Sequence, residues 1–169
     1  MKGLLPVSAI AFLFLGIVSG SQNTDSAVPL LRGYDGATQD HFYTTSAAEM
    51  ENAITVLNYK SEGDAARVLG SQAPGTIPFY RAYHPTVVDH FYTTDVNERN
   101  NAIQNHGYHD EGIVGYVYPS ALCCAIPLYR LYNPTVYDHF YTTNANERNI
   151  AAQTDGYVDE GIAGYVLPV

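Results

Sequence analysis

Short apolar runs and one polar, helix-like stretch alternate in a fixed order along most of this chain. Near the carboxyl end, the apolar and aromatic run Leu128 to Tyr132 is followed by Asn133-Pro134, which is typical turn chemistry. Residues His139 to Thr143 are rich in aromatic and β-branched side chains, so they predict the returning strand of a hairpin. A last strand is predicted from Ile162 to Leu167.

A helix is predicted between the hairpin and the last strand. Its start shows a capping residue followed three positions later by Glu, a pattern in which each side chain bonds a free amide of the other residue. The pattern occurs at Ser46 and Glu49, at Asp95 and Glu98, and at Asn144 and Glu147. We expect roughly ten helical residues, ending at Asp155-Gly156 or His106-Gly107, where Gly can adopt the left-handed conformation.

The whole pattern repeats every 49 residues. The hexapeptide Asp-His-Phe-Tyr-Thr-Thr begins without change at Asp40, Asp89 and Asp138. The repeats run over residues 23–71, 72–120 and 121–169, and we call them units 1, 2 and 3. Because one such unit is too small to bury its apolar face alone, three should pack together. The expected fold is α+β, with three tandem strand-strand-helix-strand units closing with pseudo-threefold symmetry into a three-bladed, propeller-like ring.

The first twenty residues have the layout of a secretory signal peptide. Lys2 precedes an apolar run that ends in Val18-Ser19-Gly20, which permits cleavage before Ser21. The alternative is a membrane anchor, but the apolar run is shorter than the roughly 20 residues that span a bilayer. The sequence therefore predicts a signal peptide at residues 1–20 and a single secreted, extracellular domain at residues 21–169.

The net charge and the cysteine content limit which binding partners and which cross-links we expect. Loss of Lys2 with the leader would take the net charge from -9 to -10, and such an acidic surface disfavours nucleic acid and anionic membranes. The two cysteines, Cys123 and Cys124, could form a vicinal disulfide, pair with another chain or remain reduced. They are too few for a disulfide framework or a zinc site, and the oligomeric state stays open.

The combined motifs resemble a known repeat family. The hexapeptide, the Asn/Asp-x-x-Glu-Arg helix start, Gly-Tyr, Glu-Gly-Ile and a final Val-x-Pro are similar to a family of secreted bacterial and fungal proteins known as a domain of unknown function. The resemblance covers the chain after the leader and implies a secreted, repeat-built domain, often attached to hydrolases or standing alone. It implies no catalytic residues. Unit 1 departs from the pattern at Leu31, Asn58 and Arg67, where units 2 and 3 have Tyr, Gly and Tyr.

The hexapeptide also suggests which of its side chains are buried in the core and which are available for other contacts. Strand alternation places Phe and His on opposite faces, and we expect the Phe to be buried. His41, His90 and His139 could hold a metal ion on a shared axis. We favour the alternative, in which each His bonds within its own unit or to its neighbour, and we expect no metal and no cofactor.

Arg32, Arg81 and Arg130 lie in apolar strands, so each requires a carboxylate partner. The candidates are Glu62, Glu111 and Glu160, or the hexapeptide's Asp40, Asp89 and Asp138. A competing interpretation makes the same Arg and Asp residues the polar groups of a sugar site. Its stacking rings would be Tyr34, Tyr83 and Tyr132, which stand beside the hairpin turns. A site that used Tyr80 and Tyr129 instead would exist only twice.

The resulting prediction is a secreted, non-catalytic binding module, lectin-like, with one weak site per unit for an extracellular glycan or glycoprotein. Repetition of a weak site multiplies avidity toward a repetitive target. One alternative is a glycosidase-like hydrolase with paired carboxylates such as Asp138 and Glu160. Another is a structural or host-interaction protein without a small ligand.

Overall fold

The computed structural model describes residues 26–122 and 124–169, and within them the fold is α+β. The predicted signal peptide lies outside the described residues, and so does Cys123, which the vicinal-disulfide alternative requires; Cys124 is exposed. Each unit contributes two strands, a helix and a third strand. Unit 1 has β1 (Ala27–Asp35), β2 (Asp40–Thr44), α1 (Ala47–Val56) and β3 (Lys60–Leu69). Unit 2 has β4 (Ile77–His84), β5 (Asp89–Thr93), α2 (Val96–Asn105) and β6 (His109–Val117). Unit 3 has β7 (Ile126–Asn133), β8 (Asp138–Thr142), α3 (Ala145–Thr154) and β9 (Val158–Val166).

The strands form a curled six-stranded sheet in the order β2-β1-β3-β6-β4-β5 and a three-stranded sheet in the order β8-β7-β9. All paired neighbours are antiparallel. A single residue pair, Leu69 and Tyr116, joins β3 to β6. Isolated bridges, Tyr118 with Tyr165 and Arg67 with Leu167, join both parts of the large sheet to the end of β9. The predicted strands are correct in place, but β7 extends beyond its apolar run at both ends, β9 begins four residues earlier than predicted, and β8 is shifted by one residue.

The helices begin where the sequence predicts, and α2 and α3 also end where it predicts. Ser46, Asp95 and Asn144 are the N-caps, and each accepts a backbone N–H from the first turn through its side chain. Each helix is followed by a left-handed residue. These are Asn58 (φ 70°), Gly107 (φ 78°) and Gly156 (φ 80°).

The capping box, however, is only half correct. The N-cap amide of Ser46 donates to Oγ1 of Thr44 (3.0 Å) rather than to Glu49. Glu49 instead accepts from the Thr44 hydroxyl and from Arg81 of unit 2. The same exchange occurs at the starts of α2 and α3. The glutamate does not bond the N-cap amide, because a threonine accepts that hydrogen bond and because the glutamate pairs with a half-buried arginine.

The main core lies where the short strands β2, β5 and β8 contact one another. It is built around Tyr43, Tyr92 and Tyr141, which are at most 1% exposed, and it includes Leu30, Phe79 and Leu128. Phe42, Phe91 and Phe140 are buried as predicted, each 5% exposed. They lie in three smaller clusters, each shared with the helix of the same unit.

Candidate functional site

The aspartate and histidine of the hexapeptide join adjacent units. Asp40 is fully buried, accepts the backbone N–H of His90 at 2.9 Å and lies 2.6 Å from Nδ1 of that ring. The hydroxyl of Tyr59 donates to the same carboxylate. Asp89 with His139 and Tyr108, and Asp138 with His41 and Tyr157, repeat these contacts. The predicted site aspartates therefore lie behind the surface and hold neighbouring units together.

The histidines do not converge on one point as a metal site would require. Among the described residues, the group whose ligand atoms lie within 4.8 Å of one another is Asp40, Asp89 and Asp138. Their carboxylates already accept the backbone, ring and hydroxyl hydrogen bonds given above. Each carboxylate of this acidic cluster thus takes part in contacts between units.

The tyrosine of the hexapeptide makes a second set of contacts. The Tyr92 hydroxyl accepts the backbone N–H of Tyr43 and donates to its carbonyl, both at 2.7 Å. The Tyr141 hydroxyl makes the same two hydrogen bonds with the backbone of Tyr92, and the Tyr43 hydroxyl makes them with the backbone of Tyr141. The three rings are 5.3–5.5 Å apart and nearly perpendicular. The hydroxyls thus satisfy the unpaired inner edges of β2, β5 and β8, which would otherwise be buried without partners.

The last threonine of the hexapeptide reaches the third strand of the next unit. Thr45 donates to the carbonyl of Val114 at 2.8 Å, Thr94 to that of Ala163 at 3.0 Å, and Thr143 to that of Ala65 at 3.3 Å. With the first threonine at the helix cap and the phenylalanine beneath the helix, every position of the hexapeptide has a packing or hydrogen-bonding role. These roles explain why the six letters recur unchanged.

Each predicted arginine is held by two carboxylates. The Nη atoms of Arg32 donate to Glu147 of unit 3 at 3.1 and 3.2 Å, and Nε lies 2.8 Å from Glu62. Arg81 uses Glu49 and Glu111, and Arg130 uses Glu98 and Glu160. The pairing with Glu62, Glu111 and Glu160 was one of the sequence alternatives. The helix glutamate was missed, because its spacing from the N-cap suggested a capping role.

These ion pairs change the acidity of the helix glutamates. Burial acts to raise the pKa of Glu147, but hydrogen bonds from Arg32 and Thr142 and the charge of Arg32 outweigh it, and the pKa is lowered. The pKa values of Glu49 and Glu98 are lowered for the same reasons, through Arg81 with Thr44 and through Arg130 with Thr93. All three glutamates therefore remain ionised through mildly acidic conditions.

Clefts open at the interfaces between units. The cleft between units 3 and 1, the 3–1 cleft, has a volume of about 570 Å³, and the 1–2 cleft has about 380 Å³. The 2–3 cleft consists of two hollows of about 310 and 200 Å³ that share His106 and Tyr108. The 3–1 cleft is lined by Arg32, Tyr34, His41 and Glu62 from unit 1 and by Phe140, Glu147 and Tyr157 from unit 3.

An aromatic stack forms the floor of each cleft. The ring of Tyr34 lies 4.5 Å from that of His41, which lies 4.7 Å from that of Phe140. The guanidinium of Arg32 lies 5.4 Å above the Phe140 ring. Tyr83 with His90 and Tyr132 with His139 stack in the same way, at 4.6 and 4.5 Å. All three predicted tyrosines thus line clefts and are half-buried there, and Arg32 and Arg81 lie beside them in the 3–1 and 1–2 clefts.

Tyr80 and Tyr129, the alternative pair of tyrosines, pack within their own units. The guanidinium of Arg99 lies 4.7 Å from the Tyr80 ring, and that of Arg148 lies 4.4 Å from the Tyr129 ring. In unit 1 the same place holds an apolar contact between Leu31 and the cluster that contains Met50. Where units 2 and 3 pair a strand tyrosine with a helix arginine, unit 1 therefore has Leu31 in the strand and Met50 in the helix.

The chain belongs to the family described as a domain of unknown function (DUF5648), whose model matches residues 29–167. This match confirms the resemblance to an uncharacterised family, and the match extends over all nine strands and three helices except the first two residues of β1. Neither a curated protein nor a solved structure matches the chain. Among residues 26–122 and 124–169, no helix is long and apolar enough to cross a membrane.

Proposed function

We propose that this protein is a secreted, non-catalytic binding module that recognises extracellular carbohydrate, with a candidate site at each cleft between units. The observation that carries the proposal is the recurrence of one stack at all three clefts, a half-buried tyrosine on a histidine. In the 3–1 and 1–2 clefts, an arginine held by two glutamates lies beside this stack. A flat ring with polar groups at its side is suited to the apolar face and the hydroxyl groups of a sugar.

We also infer that the three units close with pseudo-threefold symmetry into a three-bladed, propeller-like ring. Hydrogen bonds between Asp and His run from unit 2 to unit 1, from unit 3 to unit 2 and from unit 1 to unit 3. The tyrosine hydroxyls and the Arg–Glu pairs follow the same cyclic order. Three clefts in one such ring would suit a repetitive target, since several weak sites on one chain raise avidity.

The charge balance of the clefts favours a neutral ligand. Arg32 is already paired with Glu62 and Glu147, so its charge is not available to an anionic group without loss of those contacts. The whole chain carries a net charge of -9, which disfavours polyanions. Neutral glycans on an extracellular surface or glycoprotein are therefore the proposed partners.

The carboxylates are less suited to glycoside hydrolysis. A general acid of a glycosidase needs a raised pKa, whereas the pKa of Glu147 is lowered. In the pair suggested by the sequence, Asp138 has no exposed surface and Glu160 lies 2.8 Å from Arg130. Recognition without chemistry fits these surroundings better.

A glycan array tests the proposal. We expect the purified protein to bind at least one class of neutral glycan, and we expect the triple variant Tyr34→Ala, Tyr83→Ala, Tyr132→Ala to lose that binding with its circular dichroism spectrum unchanged. Tyr116→Ala is the matched control, because Tyr116 is a partly buried tyrosine in a different cluster. An array with no bound glycan would refute the function, and a folded triple variant with full binding would refute the site.

A further inference from the structure

The wider hollow of the 2–3 cleft, of about 310 Å³, is lined almost entirely by aromatic rings. Three of its lining residues are tyrosines, two are histidines, and a valine completes the lining. They are His84, Val87, His106, Tyr108, Tyr132 and Tyr137, and we call the hollow that they form the aromatic cage. Among the described residues, no Asp, Glu, Lys or Arg lines it.

The same six positions of the repeat line the other two clefts, so the three linings can be compared position by position. In the 1–2 cleft these positions hold Asp35, Thr38, Leu57, Tyr59, Tyr83 and Val88. In the 3–1 cleft they hold Asn133, Val136, Asp155, Tyr157, Tyr34 and Gln39. Each of those clefts thus has two rings at the six positions, whereas the aromatic cage has five. The three additional rings are those of His84, His106 and Tyr137.

The ring of His84 is held in place and is uncharged. It lies 5.1 Å from the ring of Tyr108 and nearly perpendicular to it. Its Nδ1 accepts the backbone N–H groups of Thr86 and Val87, at 3.2 and 3.3 Å. A ring nitrogen that accepts these hydrogen bonds carries no proton, so the imidazole is in its neutral form. The wall of the cage is therefore aromatic without being cationic at this position.

A buried negative charge lies directly behind the aromatic cage. Asp89 is fully buried, and it accepts a hydrogen bond from the hydroxyl of Tyr108. It also lies 2.7 Å from Nδ1 of His139, the ring on which Tyr132 stacks. Among the described residues, neither Lys nor Arg forms an ion pair with Asp89. Burial raises the pKa of Tyr132, and the charge of Asp89 acts in the same direction, so this ring lies in a negative field.

These surroundings favour a cation with an apolar surface. The faces of aromatic rings are negative, and a group of such rings binds quaternary ammonium ions, whose methyl groups pack against them. A primary ammonium group is strongly hydrated and would lose that water without a carboxylate in the lining to replace it. The net charge of -9 on the whole chain also attracts cations.

We propose that the aromatic cage binds a quaternary ammonium group of the kind that choline carries. This inference goes beyond the proposed carbohydrate binding, and it leaves a candidate sugar site at each of the three clefts. Both ligand classes would use the ring of Tyr132, so in the 2–3 cleft a bound sugar and a bound ammonium group exclude each other.

Titration of the whole protein with choline tests this inference, by calorimetry and by the proton NMR signal of the choline methyl groups. We expect one site per chain and an upfield shift, because the methyl groups lie over ring faces. The matched control ligand is 3,3-dimethyl-1-butanol, in which carbon replaces the charged nitrogen; it should bind about tenfold more weakly. Co-sedimentation with phosphatidylcholine vesicles separates two sources of the group. Retention on the vesicles identifies a lipid headgroup, and choline binding without retention identifies a free small molecule.

Variants of the cage identify the rings responsible. Tyr137→Gln places the residue of unit 1 at an exposed position and removes one ring, so the affinity for choline should fall about tenfold. Tyr137→Phe keeps the ring and should bind as the wild type does. The triple variant Gln39→Tyr, Asn133→His, Asp155→His gives the 3–1 cleft the same six residues as the cage. It should raise the number of choline sites from one to two.

Several results would overturn the inference. A titration without choline binding would do so, and so would equal affinities for choline and 3,3-dimethyl-1-butanol. A loss of affinity in Tyr137→Phe as large as in Tyr137→Gln would show that the ring is not the binding element. A folded triple variant with a single choline site would show that these six residues do not form the site. The glycan array decides separately whether the protein binds carbohydrate.

Discussion

The hydroxyl of Tyr92 has two buried backbone partners, the N–H and the carbonyl of Tyr43. Both groups lie on the inner edge of a strand whose other edge is already paired with β1. Because water has no access to the rings, which are at most 1% exposed, no other donor or acceptor can replace this hydroxyl. A phenol group thus carries out the pairing that a further strand would perform in an ordinary sheet.

Tyr92→Phe should therefore be costly although it removes a single oxygen atom. It leaves one buried N–H and one buried carbonyl without partners, and we expect the free energy of unfolding to fall by about 2–4 kcal/mol. Urea denaturation measures this. Tyr137→Phe is the control, because Tyr137 is 50% exposed and its variant should differ little from the wild type. Equal stabilities of the two variants would contradict the assigned role of the hydroxyl.

Phe140 has both a packing and a cleft-lining position. It is 5% exposed, packs with Leu131 and Ala151, and also lies beside His41 and Arg32 in the 3–1 cleft. We expect Phe140→Ala to lower the free energy of unfolding by about 3–5 kcal/mol, as for other buried aromatic side chains. Chemical denaturation checks the value. A variant of wild-type stability that only loses glycan binding would show that the ring serves the ligand and not the core.

At the scale of the element, the start of each helix connects its own unit to a neighbouring unit. The first turn of α3 is capped by Asn144, while its Glu147 reaches out of the helix to Arg32 in β1. The carboxylate also lies in the first turn, where the helix dipole favours negative charge. The helix is therefore oriented by an ion pair to the next unit as well as by its own apolar contacts with β7 and β8.

This coupling predicts a loss of stability in acid. The pKa values of Glu49, Glu98 and Glu147 are lowered in the folded protein, so the unfolded chain binds more protons as the pH falls. Their contribution is complete above the ordinary value of 4.5 and is lost as the pH drops through the lower folded values. We expect the melting temperature to fall steeply below about pH 4.5.

The triple variant Glu49→Gln, Glu98→Gln, Glu147→Gln identifies the groups responsible. Its melting temperature at pH 7 should be lower than that of the wild type, and its decline between pH 5 and pH 3 should be shallower. Glu51→Gln, on the exposed side of α1, should leave the profile unchanged. A triple variant with the full acid dependence would assign that dependence to other carboxylates, such as Asp35, whose pKa is also lowered: burial acts to raise it, but hydrogen bonds from Ala37 and Thr38 outweigh that effect.

At the scale of the whole molecule, no unit contains all the hydrogen-bond and ion-pair partners that its own side chains need. In unit 3, Asp138 holds His41, Glu147 holds Arg32, and Arg130 is held by Glu98. The Tyr141 hydroxyl bonds the backbone of Tyr92. Removal of units 1 and 2 would expose the central tyrosine face and leave these charges unpaired.

We therefore expect residues 121–169 alone to be unfolded as a monomer. A chain of this length has too little apolar surface to bury and, among its described residues, no cross-link. Circular dichroism and a thermal scan at low concentration measure this. The same segment in the whole protein provides the control. A cooperative transition in the monomeric fragment would show that one unit is a domain in its own right.

The amino-acid sequence by itself determined the local elements. The hairpin turn that begins at Pro134, the N-caps at Ser46, Asp95 and Asn144, and the left-handed glycines Gly107 and Gly156 were predictable, because these features depend on neighbours only a few residues away. Burial of Phe140 followed in the same way from its apolar character. Strand alternation was misleading here, because Tyr141 on the opposite face is buried as well. Tyr34, Tyr83 and Tyr132 lie next to the hairpin turns, as the sequence predicts.

The tertiary structure alone decided which residues meet. Arg32 and Glu147 are 115 positions apart, and the Tyr43 hydroxyl bonds a backbone 98 positions away. Nothing in the local pattern distinguishes the fully buried Tyr43 from the half-buried Tyr34, since both lie in strands of the same hairpin. Closure of the chain places Asp40 in the interior and Tyr34 at a cleft, because buried amides and charges must find partners and only the packed units supply them.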